Sequence, residues 1–251
     1  KKGLQDNDGD KKDSSNLVGR KILDSEEALD HFYLNESAYT IFNKDKIHRP
    51  RNPEIYKAPY VLFKKGLDCA DYSIRAVYTE SDFLYRETIN CIKGSEKDKK
   101  TLLNLCGLLN SSLFSYFNLM LGSSTGIERE QIFLEELGNY PYVYNDELVE
   151  LVEKMQREEW GKNRNELQVA LNQCVMRMYG LQDNYFVDYA LSIQIPMLCG
   201  TYQETKCDAK SMKEYVSILS KIWDEHFGQS NVHYKITIYP DIKGKFAAVQ
   251  V

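Results

Sequence analysis

The 251-residue sequence lacks the short motifs that most often mark a cofactor, nucleotide or metal site. Its fourteen glycines never occur as Gly-x-Gly, which excludes the usual dinucleotide or cofactor loop, and no P-loop Gly-Lys-Ser/Thr is present. No two of the six cysteines have the two-residue spacing of a zinc knuckle or a redox motif. These absences predict reduced cysteines and favour a cytoplasmic location.

Long hydrophobic runs are missing too. No stretch approaches the roughly 18 consecutive apolar residues of a membrane span. Hydrophobic residues make up 43% of the chain and charged residues 27%, which is typical of a globular protein. We therefore expect a soluble chain with no membrane partner. The first residue is Lys1 and no signal peptide is recognisable, which predicts a fragment of a longer polypeptide.

Evident catalytic patterns are scarce. The four histidines stand at positions 31, 48, 226 and 233, and no serine or cysteine is spaced from them to form an evident nucleophile dyad. The run Asp98-Lys99-Lys100 has the carboxylate and lysine spacing of many metal-dependent nucleases, but no upstream Pro-Asp supplies a second metal ligand. Asp98 is therefore interpreted as a helix cap. A free-standing enzyme is the least favoured class of function.

Charge is distributed unevenly, although the net charge is only −5. Between Ile41 and Gly66, seven lysines and arginines stand against two acidic residues, a local charge of +5. Between Glu130 and Gln168, ten acidic residues stand against four basic ones, a local charge of −6. The first region could therefore face the phosphates of a nucleic acid, and the second could not.

The first half of the chain predicts a small antiparallel sheet with a buried helix. Residues rich in β-branched and aromatic side chains occupy 60–63, 72–78 and 83–92. A helix that is apolar on most of its circumference is expected from Lys99 to about Leu121. Because most of its circumference is apolar, this helix is expected to be the buried spine of this half.

The residues before this sheet are polar, and three prolines interrupt them. Residues 1–16 are almost entirely Lys, Asp, Asn, Ser and Gly, which predicts a loop or a frayed end. Ser25 has the chemistry of an N-cap for a short amphipathic helix that ends near Asn35. Prolines at 50, 53 and 59 rule out a helix across the basic stretch and predict an exposed, extended arm.

The second half of the chain predicts a helical region followed by a small α/β unit. Helices are expected over 146–159, over 167–178 with Gly180 as terminator, over 183–193 and over 211–227, with strands from 232–239 and after a turn at 241–244. The helix over 146–159 is acidic and predicted to be solvated. The sequence thus predicts an α+β fold with one domain over 1–145 and a C-terminal helical and α/β region over 146–251.

The remaining candidates form a binding pattern and not a catalytic one. The arm from His48 to Tyr60 carries guanidinium and ammonium groups, which can hold phosphate or a guanine edge. The loop over 122–126 offers hydroxyls and unhindered backbone N–H groups, and Arg129 follows it. A solvated surface and a polar helix-to-helix turn are the structural alternatives. The predicted contact residues are Arg49, Arg51, Lys57, Lys64, Lys65, Arg75, Ser123, Thr125 and Arg129.

Several motifs occur in an order that resembles one family. Leu-Leu-Asn-Ser-Ser-Leu at 108–113 is followed by Gly-Ser-Ser-Thr-Gly at 122–126 and by Asn-Tyr-Pro at 139–141. With the strand over 55–66, this order resembles the target-recognition region of TaqI-like adenine-specific DNA methyltransferases, including the fused type IIG restriction-modification enzymes. The segment over 172–181 is similar to the one that follows recognition domains in those fused enzymes.

The resemblance implies that chemistry and DNA recognition are divided. In the family, the catalytic and cofactor-binding domain lies N-terminal to this region and needs a Pro-Pro pair, whereas none of the six prolines here is adjacent to another. The resemblance implies that this chain binds double-stranded DNA and positions it for a catalytic domain of the same parent chain. That parent would use S-adenosylmethionine, and this fragment would hold no cofactor. The alternative is a protein-interaction module in which helices 146–159 and 211–227 dock partner subunits.

Overall fold

The computed structural model describes residues 2–24, 26–67, 72–124, 131–157, 163–181, 187, 209–227, 235–239 and 248–250. By contacts, the chain divides into two compact units, Lys1–Val187 and Asp188–Val251. The strands of the first unit are β1 (Lys12–Asp13), β2 (Lys21–Leu23), β3 (Leu29–Asp30), β4 (Tyr33–Leu34), β5 (Tyr39–Ile41), β6 (Lys46–Ile47), β7 (Tyr60–Lys64), β8 (Ala76–Thr79), β9 (Leu84–Tyr85) and β10 (Ile89–Lys93). Its helices are α1 (Lys99–Leu109), α2 (Ser112–Leu121), α3 (Leu134–Leu137), α4 (Asp146–Arg157) and α5 (Arg164–Met178). The second unit contains α6 (Ala209–Phe227), β11 (Thr237–Tyr239) and β12 (Ala248–Gln250).

The central sheet of the first unit consists of β10, β7 and β8, with β7 in the middle and both pairings antiparallel. Leu62 pairs with Val77 on one side and with Cys91 on the other, and all three side chains face the N-terminal core. Because side chains alternate along a strand, Val61 and Phe63 face the opposite side, where α1 packs. The predicted small antiparallel sheet with a buried helix is confirmed, and the fold is α+β.

The N-terminal residues form a packed layer against this sheet. Leu4 is fully buried, and its N–H donates to the carbonyl oxygen of Tyr85 at 2.9 Å. The proline-rich stretch contains a 3₁₀ turn, Pro53–Tyr56, in which Tyr56 is fully buried. The prediction of a frayed N-terminus is therefore wrong, although residues 7–11 form an exposed loop, which is the predicted alternative. The arm is exposed at Arg49 and Asn52 as predicted, but it is not extended throughout because of this turn. Apolar residues scattered along these polar stretches, such as Leu4, Leu17 and Tyr56, enter the core.

Two predicted helices differ from the observed structure. Glu26–Ala28 forms only one 3₁₀ turn, and β3 and β4 follow it as a hairpin that turns at Phe32, whose φ is 56°. The helix predicted over 99–121 is divided into α1 and α2 at Asn110 and Ser111. The Ser111 hydroxyl accepts a backbone hydrogen bond from the first turn of α2 and so caps that helix. The chain therefore turns inside the Leu-Leu-Asn-Ser-Ser-Leu motif.

α4 packs on α1 inside the first unit. The two helices approach at Gly107, where a Cβ atom would lie 2.8 Å from side-chain atoms of Leu148 and Val152. Both of these residues are fully buried, so the predicted solvation of this acidic helix is wrong for its inner face. Because α4 is held in this way, the first compact unit continues beyond residue 145, where the sequence placed a boundary, and extends to Val187.

α5 ends at the position that the sequence predicts. Gly180 has a φ of 72°, and the N–H of Leu181 donates to the carbonyl oxygen of Met176 at 2.9 Å, closing the helix. The predicted core face is confirmed at Leu171 and at the neighbouring Cys174 and Val175, all of which are buried. The end of α5 is therefore determined by the local sequence.

The second unit agrees with the sequence in its helix, but the strand predicted over 232–239 is shorter where it is described, because Lys235 and Ile236 lie outside β11. α6 covers the helix predicted over 211–227, and β11 pairs antiparallel with β12 as a strand and its return. The predicted turn at 241–244 and all of the predicted helix over 183–193 except Val187 lie outside the described residues. Among the helices that the structure describes, none has the length and apolar character needed to cross a bilayer.

Candidate nucleic-acid interface

The C-terminal end of β7 carries two predicted contact residues, Lys64 and Lys65. The Lys64 N–H donates to the carbonyl oxygen of Arg75 at 3.2 Å, and the Lys65 N–H donates to that of Thr88 at 2.7 Å. Both lysines are partly exposed. The backbone at this end of the sheet is thus held from both neighbouring strands, while the two side chains reach the surface.

The segment after α2 meets the same end of the sheet. Ile132 donates its N–H to the Lys65 carbonyl oxygen at 2.8 Å, and Gly66 forms an antiparallel bridge with Gln131. The Ser124 hydroxyl donates to the Gln131 carbonyl oxygen at 2.6 Å and accepts from the Gln131 N–H at 3.0 Å. Two stretches that are far apart in sequence, and that were singled out separately, are therefore adjacent in space.

The outcome for the loop residues themselves is mixed. Ser123 is exposed, and its N–H donates to the Oε1 atom of Glu136 at 3.3 Å. Glu136 brings a carboxylate to this loop, which opposes the approach of a phosphate beside Ser123. The other two predicted loop contacts, Thr125 and Arg129, lie outside the described residues.

Arg49 and Arg51 lie along the N-terminal segment. Arg49 and Gln5 exchange two backbone hydrogen bonds, of 2.9 and 3.0 Å, and the Arg49 side chain is exposed. Arg51 adopts a φ of 65°, and its Nε atom donates to the carbonyl oxygen of Gly3 at 3.1 Å. Both arginines are therefore anchored by backbone groups of the residues that the sequence predicts to be frayed.

A series of backbone hydrogen bonds connects the two arginines with the end of β7. Next to Thr88, which accepts from Lys65, the Glu87 N–H donates to the carbonyl oxygen of Leu4 at 2.9 Å. The residue after Leu4 is Gln5, which is hydrogen-bonded to Arg49. Three steps between neighbouring extended segments correspond to about 14–15 Å. We call Arg49, Arg51, Lys64 and Lys65 the basic rim. Within the described part of the chain, no rim side chain forms an ion pair.

Two other predicted contacts are engaged with carboxylates. Lys57 lies before the opposite end of β7, and its Nζ atom is 2.8 Å from Glu54 Oε1. The Arg75 Nη1 atom is 2.8 Å from Asp30 Oδ1, and the two side chains are only 20% and 25% exposed. Lys57 is exposed and could exchange its partner at little cost. Arg75 would have to abandon a half-buried carboxylate in order to bind phosphate.

The charge state of Asp30 supports its ion pair with Arg75. Partial burial of Asp30 opposes ionisation, but the His31 backbone N–H and the Arg75 guanidinium together lower the pKa of this carboxyl below its usual range. The carboxylate is therefore ionised at neutral pH, and the pair holds the β3–β4 hairpin beside the start of β8.

Sequence reasoning missed the role of Asn110 in the break between α1 and α2. Its Oδ1 atom accepts from the N–H of Ala76 at 3.0 Å, and its Nδ2 atom donates to the carbonyl oxygens of Ala76 and Cys106 at 2.9 and 2.8 Å. The Asn110 amide thus bonds to the first residue of β8 as a neighbouring strand would. The Asn-Ser pair in an apolar helical run was the available signal, because such residues favour helix ends.

His31 joins the same group. Its Nδ1 atom lies 2.7 Å from Asn110 Oδ1, and its Nε2 atom lies 3.0 Å from Ser73 Oγ. The Arg164 side chain, from the first turn of α5, donates to the His31 carbonyl oxygen. Four separate parts of the chain therefore meet at this histidine. Residue spacing alone gave no indication of the contact, because these residues belong to different elements.

The remaining motifs have packing or capping roles. The Tyr140 ring of the Asn-Tyr-Pro motif lies 5.8 Å from the ring centroids of both Phe114 and Phe117. Asp98 precedes α1, but its carboxylate makes no cap hydrogen bond to that helix, so the predicted cap is wrong in detail. The carboxylate instead accepts from the N–H and the hydroxyl of Ser95 at 2.8 and 2.7 Å, in a capping box on the preceding 3₁₀ turn. In the described segments, no group of three His, Cys, Asp or Glu residues could hold a metal ion.

Comparison of the chain with known protein families gives no matching family model, and comparison with curated protein sequences gives no match either.

Proposed function

We propose that this chain is the DNA target-recognition part of a restriction-modification adenine methyltransferase. It binds duplex DNA at the basic rim and holds it for a catalytic domain elsewhere on the same parent chain. The main observation behind this proposal is that the Lys64–Gly66 end of β7 lies next to the Ser123–Ser124 loop. The two are connected through the Gly66–Gln131 bridge and the Lys65–Ile132 hydrogen bond. The order of the motifs supports the proposed family, and this contact forms the surface proposed to bind DNA.

The electrostatics of the rim support an anionic partner. The four rim cations have no carboxylate partner among the described residues, so their charge is available to an incoming phosphate. Each phosphate neutralised by such a cation releases condensed counterions, which supplies free energy that falls as salt rises. Arginine also allows bidentate contact with phosphate or guanine, whereas lysine supplies non-specific attraction.

The chemistry of modification belongs to the proposed parent enzyme. S-adenosylmethionine would supply the methyl group there, to the amino group of a target adenine. The residues of this chain bind the duplex, fix its orientation and select the sequence. Arg49 and Arg51 are proposed to contact phosphate from the edge of the N-terminal layer, and Lys64 and Lys65 from the end of the sheet. Thr125 and Arg129 are proposed to approach the bases or the adjacent backbone, and Ser123, which lies beside the Glu136 carboxylate, is proposed to approach the bases.

Charge reversal tests this proposal. The double variant Arg49→Glu/Lys65→Glu is compared with the wild type and with Lys154→Glu, an exposed lysine of α4. Binding to a fluorescein-labelled duplex is followed by anisotropy at several salt concentrations. We expect the rim variant to lose at least about tenfold in affinity, and the slope of log K against log salt to fall by about 0.9 for each lost contact.

The control separates local from overall charge. Lys154→Glu should change affinity less than about twofold, because exposed charges beyond a Debye length are screened. Equal effects of the two variants, or no binding of the wild type to any duplex, would overturn the proposal. A salt-insensitive complex with protein in place of DNA would favour the alternative of an interaction module.

A further inference from the structure

Ser73, His31 and Asn110 stand in the order of a nucleophile, a base and an orienting group. The His31 Nε2 atom is 3.0 Å from Ser73 Oγ, and its Nδ1 atom is 2.7 Å from Asn110 Oδ1. These are hydrogen-bond distances, and the two contacts use opposite nitrogens of one ring. Nucleophile, base and orienter related in this way recur on unrelated folds and are recognised by geometry, since sequence order differs among them.

The hydrogen bonds of Asn110 determine which nitrogen of His31 carries the proton. The amide cannot be flipped, because a flip would place Nδ2 against the Ala76 N–H and Oδ1 against the carbonyl oxygens of Ala76 and Cys106. Oδ1 therefore faces His31, and Nδ1 must be the donor in that contact. In the neutral ring Nε2 is then unprotonated and can accept the proton of the Ser73 hydroxyl, as a general base does.

Burial and charge around the three residues fit this role. Asn110 is 3% exposed, so the orienting amide is fixed in the interior, whereas Ser73 and His31 are partly exposed and can be reached from solvent. Arg164 binds the His31 carbonyl oxygen, and Arg75 pairs with the adjacent Asp30. Arg164 therefore brings a positive charge to the backbone of His31, whereas the charge of Arg75 is already paired with the Asp30 carboxylate.

We propose that Ser73 is an acyl-accepting nucleophile activated by His31, and that this site hydrolyses small carboxylic esters. The Ser73 oxygen adds to the ester carbonyl carbon while its proton passes to His31 Nε2. The C–O bond to the leaving alcohol then breaks, and the alcohol takes that proton. Water next attacks the acyl-serine with His31 again as base, which releases the carboxylic acid and regenerates the serine hydroxyl. The activity is independent of DNA binding.

A fluorophosphonate probe tests the nucleophile directly on the full chain. We expect one covalent adduct by intact mass spectrometry, located by peptide mapping at Ser73. Labelling should fall at least about 100-fold in Ser73→Ala and in His31→Gln, the range expected for loss of a nucleophile or a general base. Ser37→Ala, which removes an exposed serine of another turn, is the matched control and should label at the wild-type rate.

A second variant protects the test against loss of folding. Ser73→Cys should react with iodoacetamide at neutral pH at least about tenfold faster than Ser37→Cys, because a base at hydrogen-bond distance increases the thiolate fraction. Absence of the Ser73 adduct in a protein with a native circular dichroism spectrum would overturn the proposal. Equal labelling of Ser73→Ala, or equal rates for the two cysteine variants, would also overturn it, and the contact would then serve only to link the hairpin to the helix break.

Discussion

Replacement of Asn110 by alanine should be among the most destabilising single changes in the first unit. The variant leaves the buried N–H of Ala76 without an acceptor, at a cost of about 1–3 kcal/mol. It also removes the two Nδ2 hydrogen bonds, each worth about 1 kcal/mol. The lost contact of Oδ1 with His31 Nδ1 adds less, because His31 is partly exposed and water can replace the amide. The Ala76 carbonyl oxygen keeps the Phe32 N–H as a donor, so it is not orphaned. The total is about 3–4 kcal/mol, allowing for partial relaxation.

The matched control is the same substitution at a helix cap. Asn145 accepts backbone hydrogen bonds from Glu147 and Leu148 at the start of α4, and loss of such a cap costs about 1 kcal/mol. Urea unfolding of Asn110→Ala, Asn145→Ala and the wild type, followed by far-UV circular dichroism, gives the two differences. A cost at Asn110 no greater than the cost at Asn145 would refute the conclusion that this amide fixes the start of β8.

Two further outcomes follow from close packing and from ionisation. A Cβ atom at Gly3 would lie 2.1 Å from the Tyr85 carbonyl oxygen, so Gly3→Ala should release the N-terminal segment. Tryptic cleavage after Lys11 and Lys12, measured by mass spectrometry, should then become faster. Gly66→Ala is the control and should leave cleavage unchanged, because no atom lies within 4 Å of a Cβ at Gly66. Because the folded state lowers the pKa of Asp30 below 3.8, the stability from its ionised form is present above that pH and is lost as pH falls through the folded value. Tm measured from about pH 6 to about pH 2 should therefore fall less steeply for Asp30→Asn than for the wild type, and parallel curves would contradict this assignment.

The elements that could be predicted are those with a strong local signal. Alternating β-branched and aromatic residues located the strands of the central sheet, and glycine at a positive φ located the end of α5. The N-terminal layer could not be predicted in this way. Its strands have only two or three residues, too few to show a period, and its core contribution comes from scattered residues such as Leu4 and Leu17 and from short pairs such as Ile22-Leu23.

The candidate site could be predicted in residue type but not in grouping. Lys64 and the Ser-Ser-Thr loop are predicted separately, and the pairing of Gly66 with Gln131 and the Lys65–Ile132 hydrogen bond bring the described part of this loop to the end of β7. The involvement of Arg75 with Asp30 was not visible, because a hairpin replaces the predicted helix and turns that carboxylate towards β8. The meeting of His31 with Ser73 was missed for the same reason.

The acidic average of the chain does not oppose DNA binding at the basic rim, because the fold keeps the acidic helix α4 away from the rim, although it leaves Glu136 beside the Ser123 loop. The negative helix α4 packs on α1, and α1 packs on the face of the central sheet opposite the N-terminal layer. Gln156 of α4 donates to the carbonyl oxygen of Tyr78 at 2.8 Å. Tyr78 lies at the end of β8 that is away from Lys64, because β7 and β8 are antiparallel and Tyr60 pairs with Thr79. The helix-to-helix step from α1 to α4 alone adds about 8–10 Å to the distance between α4 and the sheet. That step equals a Debye length at physiological salt, so the carboxylates of α4 are screened from a duplex bound at the rim.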